Sequence, residues 1–205
     1  MGVVAGIEPG HGTAPSCHHR DVFDLDDFLD RCRRAVTSDD PRRAVREELD
    51  RAVAEPSSIA DVLAPAEGGI TLLHVADDLT VLHAVWAPGM RLYPHNHEMW
   101  ASIGIYAGRE DNAFYRRAAP GDAHLTASGG KQLLAGDTVL LGDDTIHAVT
   151  NPLRSLTAAI HVYGGDFVNQ PRSQWGPGEE VERPYDLELT RQQFADANAA
   201  WRASS

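Results

Sequence analysis

The chain divides by the period of its hydrophobic positions. Leu25, Phe28, Leu29, Cys32 and Val36 follow the i, i+3, i+4, i+7 stripe of an amphipathic helix, with Asp24 placed to cap it. Val45, Leu49, Ala52 and Val53 repeat the stripe in a second helix that starts between Ser38 and Pro41 and stops at Glu55-Pro56. A short helical segment over 58–63 follows. From Ile70 the period becomes that of strands. Runs over 70–75 and 80–86 are separated by Asp77-Asp78, a hairpin signal. Further strands are predicted over 99–106, 113–117, 124–127, 138–141, 146–149 and 156–163. Short, regular spacing between Gly, Pro, Asp and Asn is the pattern of an all-β sandwich or barrel. The Gly- and Pro-rich stretch 164–186 reads as a loop wrapped over that barrel. A last helix is predicted to open at Thr190, with Gln193 completing a capping box, and to bury Phe194 and Trp201.

The expected organisation is an aperiodic tail (1–20), a helical segment (21–66), an all-β barrel (67–187) and a C-terminal helix packed on it (188–205). At 205 residues, 42% hydrophobic and 23% charged, the composition is that of a soluble globular protein with a sizeable core. The net charge of −12 argues against nucleic acid and anionic membrane surfaces as partners. Cys17 and Cys32 make no disulfide framework, and no apolar run is long enough to span a bilayer. The opening residues lack a charged n-region and a long h-region, so the cytoplasm is the expected compartment. Cys17, His18 and His19 lie together in the tail, which offers a metal no preorganised geometry.

The candidate chemistry lies in three other histidines. In a strand, residues i and i+2 share a face, so His95 and His97 can close on one metal ion. His147 follows a turn at Gly142-Asp143-Asp144 and can join them from a neighbouring strand of a barrel. Neutral imidazole accepts Zn, Fe, Ni or Cu, so the ligand type leaves the metal open. His74, His83 and His124 read as packed strand residues.

The blocks around His95-Asn96-His97 and His147 resemble the two motifs of the cupin superfamily. That resemblance implies a double-stranded β-helix, or jelly-roll, with helices before and after it. Most cupins place a Glu four or five residues after the second His. Ala101 and Ser102 stand there in this chain, and Glu98, beside His97, points to the other strand face. A three-His site resembles the thiol dioxygenase branch. Ala159-Ile160-His161-Val162-Tyr163-Gly164 is similar to that branch's Ser-x-His-x-Tyr segment, with Ala in place of Ser. The run from His97 to Gly104 is closer to bacterial 3-mercaptopropionate dioxygenases than to cysteine dioxygenases. The resemblance covers residues 80–175. Gly108 to Asn112 also resembles a Gly-Arg-Glu-Asp-Asn run in a group of predicted metal-dependent cupins.

The resemblance implies iron(II) on His95, His97 and His147, with O2 as co-substrate. It implies that Tyr163, oriented by His161, presents its hydroxyl to the reacting groups, and that Arg172 clamps a substrate carboxylate. Trp100 and Tyr93 are expected at the mouth of the site. The expected partner is a small thiol, of the cysteine or 3-mercaptopropionate kind, acted on by a monomer or homodimer. Sulfur oxygenation is the leading reading, and a rerouted oxidation of a cysteine-derived substrate is a second. A zinc-dependent hydrolase or isomerase and a non-catalytic ligand-binding cupin are alternatives, because three His plus water also suits zinc.

Overall fold

Asp24 opens the first helix by accepting the Asp27 backbone N–H at 2.9 Å. In the computed structural model, which describes residues 22–119, 122–177 and 181–204, this helix is α1 (Leu25–Val36). Asp40 caps α2 (Pro41–Val53), whose leading proline needs no N–H partner, and α3 (Pro56–Val62) follows. The tail with Cys17, His18 and His19 lies outside the described residues.

The remaining elements are β1 (Gly69–Val75), β2 (Thr80–Trp86), β3 (Arg91–His95), β4 (Ala101–Ala107), β5 (Arg109–Arg117) and β6 (Leu125–Leu134). After them come β7 (Thr138–Leu141), β8 (Ile146–Thr150), β9 (Thr157–Tyr163), β10 (Ser173–Trp175), β11 (Glu182–Pro184) and α4 (Leu187–Ser204). The strands pair antiparallel into a five-stranded sheet, β1-β2-β9-β4-β7, and a six-stranded sheet, β11-β10-β3-β8-β5-β6. Without the flanking β1, β10 and β11, the orders are β2-β9-β4-β7 and β3-β8-β5-β6. Successive strands from β2 to β9 alternate between sheets, except for the β5–β6 hairpin. This is the jelly-roll order, with helices before and after it. Among the described residues no helix is long and apolar enough to cross a membrane.

Two cores explain the burial pattern. The outer face of the five-stranded sheet, including Val81, Val85, Ile160 and Val162, packs against Phe28, Cys32, Val45, Leu49 and Ile59 of the helices. Its inner face, including Leu82, Ala84, Ile103 and Ala159, meets Leu92, Leu133 and Val149 of the other sheet. β2 and β9 are therefore buried on both faces and show no polar alternation.

Three expectations change. The 164–186 stretch contains β10 and β11, because β10 pairs with β3 through Gln174 and His95. β5 and β6 extend well beyond 113–117 and 124–127, as one long hairpin with a register shift at Phe114/Tyr115. α4 begins at Leu187 rather than Thr190: Asp186 accepts the Leu189 N–H at 3.0 Å, and its own N–H is held by Gln174 Oε1 at 2.8 Å. Thr190 is buried inside the helix, and Gln193 donates to the Arg91 carbonyl instead of closing a capping box. Phe194 is buried as expected, while Trp201 is half-buried.

Candidate metal centre

His95 reaches the interior through a β-bulge. β3 pairs Leu92 with Val149 and then His95 with His147, so three steps on β3 match two on β8. The extra residue falls at Tyr93-Pro94, where proline is tolerated in a strand. It turns His95 to the same cavity face as Leu92. β3 ends at His95, so His97 does not share a strand with it, contrary to the i, i+2 expectation. The chain instead turns through Asn96, which β10 holds: Asn96 N donates to Ser173 O at 3.1 Å, and Ser173 N donates to Asn96 Oδ1 at 2.7 Å. Glu98 follows at φ 55, exposed, and accepts from Asn96 Nδ2 at 2.5 Å.

The three imidazoles converge. One ligand nitrogen from each of His95, His97 and His147 lies within 4.8 Å of the others, and all three side chains are buried. His97 Nε2 and His147 Nε2 are 3.2 Å apart. His95 Nδ1–H donates to the Tyr93 carbonyl at 2.9 Å, which leaves its Nε2 as a lone pair. His147 Nδ1–H donates to Asn112 Oδ1 at 2.7 Å, with the same consequence. Burial holds His95 down to about 4, and holds His97 and His147 well below the usual imidazole value, with the neighbouring histidines adding to the effect on both. Neutral imidazoles with inward lone pairs and outer nitrogens tied to acceptors fit a divalent transition metal.

Residues beyond the expected set support this arrangement. Asn112 Nδ2 donates to Glu110 Oε1 at 2.8 Å, and Trp86 Nε1 donates to Glu110 Oε2 at 2.8 Å. Glu110 is fully buried, and desolvation raises its carboxyl pKa against those two hydrogen bonds. The sequence signals for this network are the Gly108 to Asn112 run and the inward face of β5, where Glu110, Asn112 and Phe114 alternate with Asp111 paired to Arg109. Ala101, where a fourth carboxylate ligand is missing, is buried on the inner face opposite Tyr163, and Ser102 Oγ is buried without a hydrogen-bond partner.

The opposite wall comes from β9. His161 Nδ1 and the Tyr163 hydroxyl lie 3.1 Å apart, and the Tyr163 ring meets His97 edge-on at 5.0 Å between centroids. Burial pushes His161 down to about 3 and raises Tyr163, so the phenol keeps its proton. Arg172 lines the same cavity. Its guanidinium sits 4.0 Å from the Phe167 ring centroid and 4.2 Å from that of Tyr185. Nη1 donates to the carbonyls of Phe167 and Gln170, while Nε is buried with no partner.

Trp100 and Tyr93 do not line this cavity. Trp100 belongs to the helix-side core and lies over Gly164, because the chain has already turned outward after His97. Tyr93, in the bulge, packs its ring against Gly176 and contributes only its carbonyl to the site.

No protein-family model matches the chain. Several solved structures are similar to it. A protein of Bacillus halodurans aligns over 65% of this chain and 89% of its own, at 13% identity and a TM-score of 0.47. A cupin superfamily protein from Desulfitobacterium hafniense aligns over 53% of this chain and 88% of its own, at 14% identity and a TM-score of 0.42. An oxalate oxidase in complex with glycolate aligns over 50% of this chain and 53% of its own, at 16% identity and a TM-score of 0.38. This chain therefore spans about half the length of that oxidase, and at such identities and scores each likeness concerns the fold alone.

Proposed function

We propose that the protein is a mononuclear non-haem iron(II) enzyme that uses O2 to oxidise a small thiol carboxylate. The observation that carries this reading is the convergence of three neutral imidazoles, without a carboxylate ligand, on one cavity with a protonated Tyr163 and the Arg172 guanidinium. Iron(II) held there would keep its full double charge, favour the thiolate over the thiol, and supply the electrons that let O2 react.

The chain's own residues do the rest. Arg172 offers the part of its guanidinium not spent on the Phe167 and Gln170 carbonyls to the substrate carboxylate, with the guanidinium plane fixed between two rings. In the tautomer in which His161 Nδ1–H donates into the Tyr163 oxygen, the phenolic proton is free to point at the oxygen atoms being transferred. Phe167 stacks on Tyr163 at 4.0 Å between centroids and covers that face of the phenol ring. The balanced reaction is R–SH + O2 → R–SO2⁻ + H⁺. The S–H and O–O bonds break and two S–O bonds form. Sulfur gives four electrons and O2 takes four, and the proton goes to solvent.

The test is oxygen uptake by protein purified anaerobically and loaded with iron(II) or zinc, given cysteine or 3-mercaptopropionate. Equal consumption of thiol and O2 with iron, and a product heavier by two oxygen atoms, is the expected result. Stoichiometric zinc with no uptake after iron loading would sink the reading in favour of a hydrolase or isomerase. Ligand binding without turnover for any thiol would leave a binding protein.

A further inference from the structure

The cavity has two chemically different ends. Its floor is polar, made of the three histidines, the His161–Tyr163 pair and Arg172. Its outer part is mainly aliphatic, lined by Ile70, Leu72, Leu82, Ala84, Val168 and Leu187, with Thr190 and Arg191 of α4 the polar exceptions. Four of these stay open to solvent: Ile70 at 43%, Leu72 at 51%, Val168 at 47% and Leu187 at 49%. Large aliphatic side chains grouped at the rim of one cavity mark a contact surface rather than scattered surface residues.

The fold builds this rim from elements outside the jelly-roll core. β1 is added at the sheet edge with Ile70 opposite Ala84 and Leu72 opposite Leu82, so both stand on the cavity face. α4 closes the other side. Asn198 locks it to the start of β1, donating to Gly68 O at 2.8 Å and accepting from Gly68 N at 2.8 Å. Phe194 of the same helix stacks on Trp86 at 5.4 Å between centroids, which fixes Leu187 at the mouth. The cavity volume is about 350 Å3. That lies within the roughly 300–1,000 Å3 that holds drug-sized ligands, larger than a bare cysteine-sized thiol requires.

We propose that the substrate is amphipathic: a thiol carboxylate whose acid and sulfur occupy the floor and whose aliphatic chain runs out between β1 and α4. The identity of the head group rests on the thiol oxidation reading; the aliphatic channel does not. The Arg172 guanidinium, which lines the same cavity, supplies the complementary charge at the inner end. The chain lies along Leu82, Leu72 and Leu187 and leaves at Val168.

Titration calorimetry of the full chain with straight-chain monocarboxylates, from butyrate to dodecanoate, reads the channel alone, since these carry no thiol and need no metal. Affinity is expected to rise roughly fourfold per methylene, the equivalent of about 0.8 kcal/mol per buried CH2, until the chain reaches the mouth. Affinity that does not change with length overturns the proposal. Leu72→Gln and Leu187→Gln, at solvent-open positions, are expected to shrink that increment; an unchanged increment in both overturns the path assigned to the chain. Oxygen uptake with alkyl-substituted 3-mercaptopropionates separates the two readings. Length-dependent binding with no thiol consumed supports the channel and sinks the oxidation. Thiol consumption with a KM indifferent to length does the reverse.

Discussion

Asn112 Oδ1 accepts the Nδ1–H of His147 at 2.7 Å, and this bond decides which nitrogen of His147 faces the other two imidazoles. Asn112 has no freedom to flip, because its NH2 group donates to buried Glu110. Replacing Asn112 with Leu removes the acceptor and frees the ring. Loss of such an outer partner costs about 10–100-fold in metal affinity. Competition against a chelator of known affinity should show that loss with the circular dichroism spectrum unchanged. Affinity equal to the parent protein would mean that the ring is held by packing alone.

Acid should unfold the metal-free protein early. Burial holds His95 at about 4 and His161 at about 3, against 6.5 for an ordinary histidine, and holds His97 and His147 well below it. Below about pH 6.5 the unfolded chain binds protons that the folded core refuses, so stability is full above that value and falls with pH toward the folded values. Each such histidine contributes about 1.4 kcal/mol per pH unit in that window. The urea midpoint should therefore drop steeply from about pH 7 to pH 5. A flat midpoint over that range would show that these rings are not shielded from water.

Arg172→Gln removes a charge but keeps a polar side chain in the cavity. A charge-assisted hydrogen bond is worth about 1.5–3 kcal/mol. KM for a thiol carboxylate should rise by roughly ten- to a hundredfold, and that for a thiol lacking the acid should barely change. An equal effect on both substrates would assign Arg172 to holding the 167–172 loop, where it already donates to two carbonyls.

Gly164→Ala tests why the residue after Tyr163 carries no side chain. A Cβ there would lie 1.9 Å from Trp100 Cε2, and the indole is itself packed in the helix-side core. Overpacking of this kind costs about 1–3 kcal/mol. The substitution should lower the thermal midpoint and, by displacing Tyr163, reduce turnover more than it reduces metal affinity. An unchanged midpoint would show that the Trp100 ring can move aside.

Local rules carried the reading where one element decides its own environment. The stripes of α1 and α2 place Phe28, Cys32, Val45 and Leu49 in the core, and the Asp77-Asp78 turn joins β1 to β2. The histidine trio was legible from residue type and spacing, although His97 arrives through a loop rather than along a strand. Features set by distant partners were not legible. The bulge at Tyr93-Pro94 appears only in the register with β8, and β10 forms by pairing with β11 and with the edge of β3. Asp186 prevails over Thr190 as helix cap because Gln174, on another strand, positions its backbone. Glu110 and Asn112 stand in the Gly108 to Asn112 run, outside the strand expected over 113–117, and their place behind His147 appears only when β5 is laid beside β8.

The site is divided between the two sheets. β3 and β8 carry His95 and His147 on one of them, and β9 carries His161 and Tyr163 on the other. The spacing between the sheets therefore acts as a ruler for the chemistry. A change that lets the sandwich breathe moves the phenol away from the imidazoles while leaving the imidazoles in register with each other. Such a protein would still hold its metal and would no longer use it well.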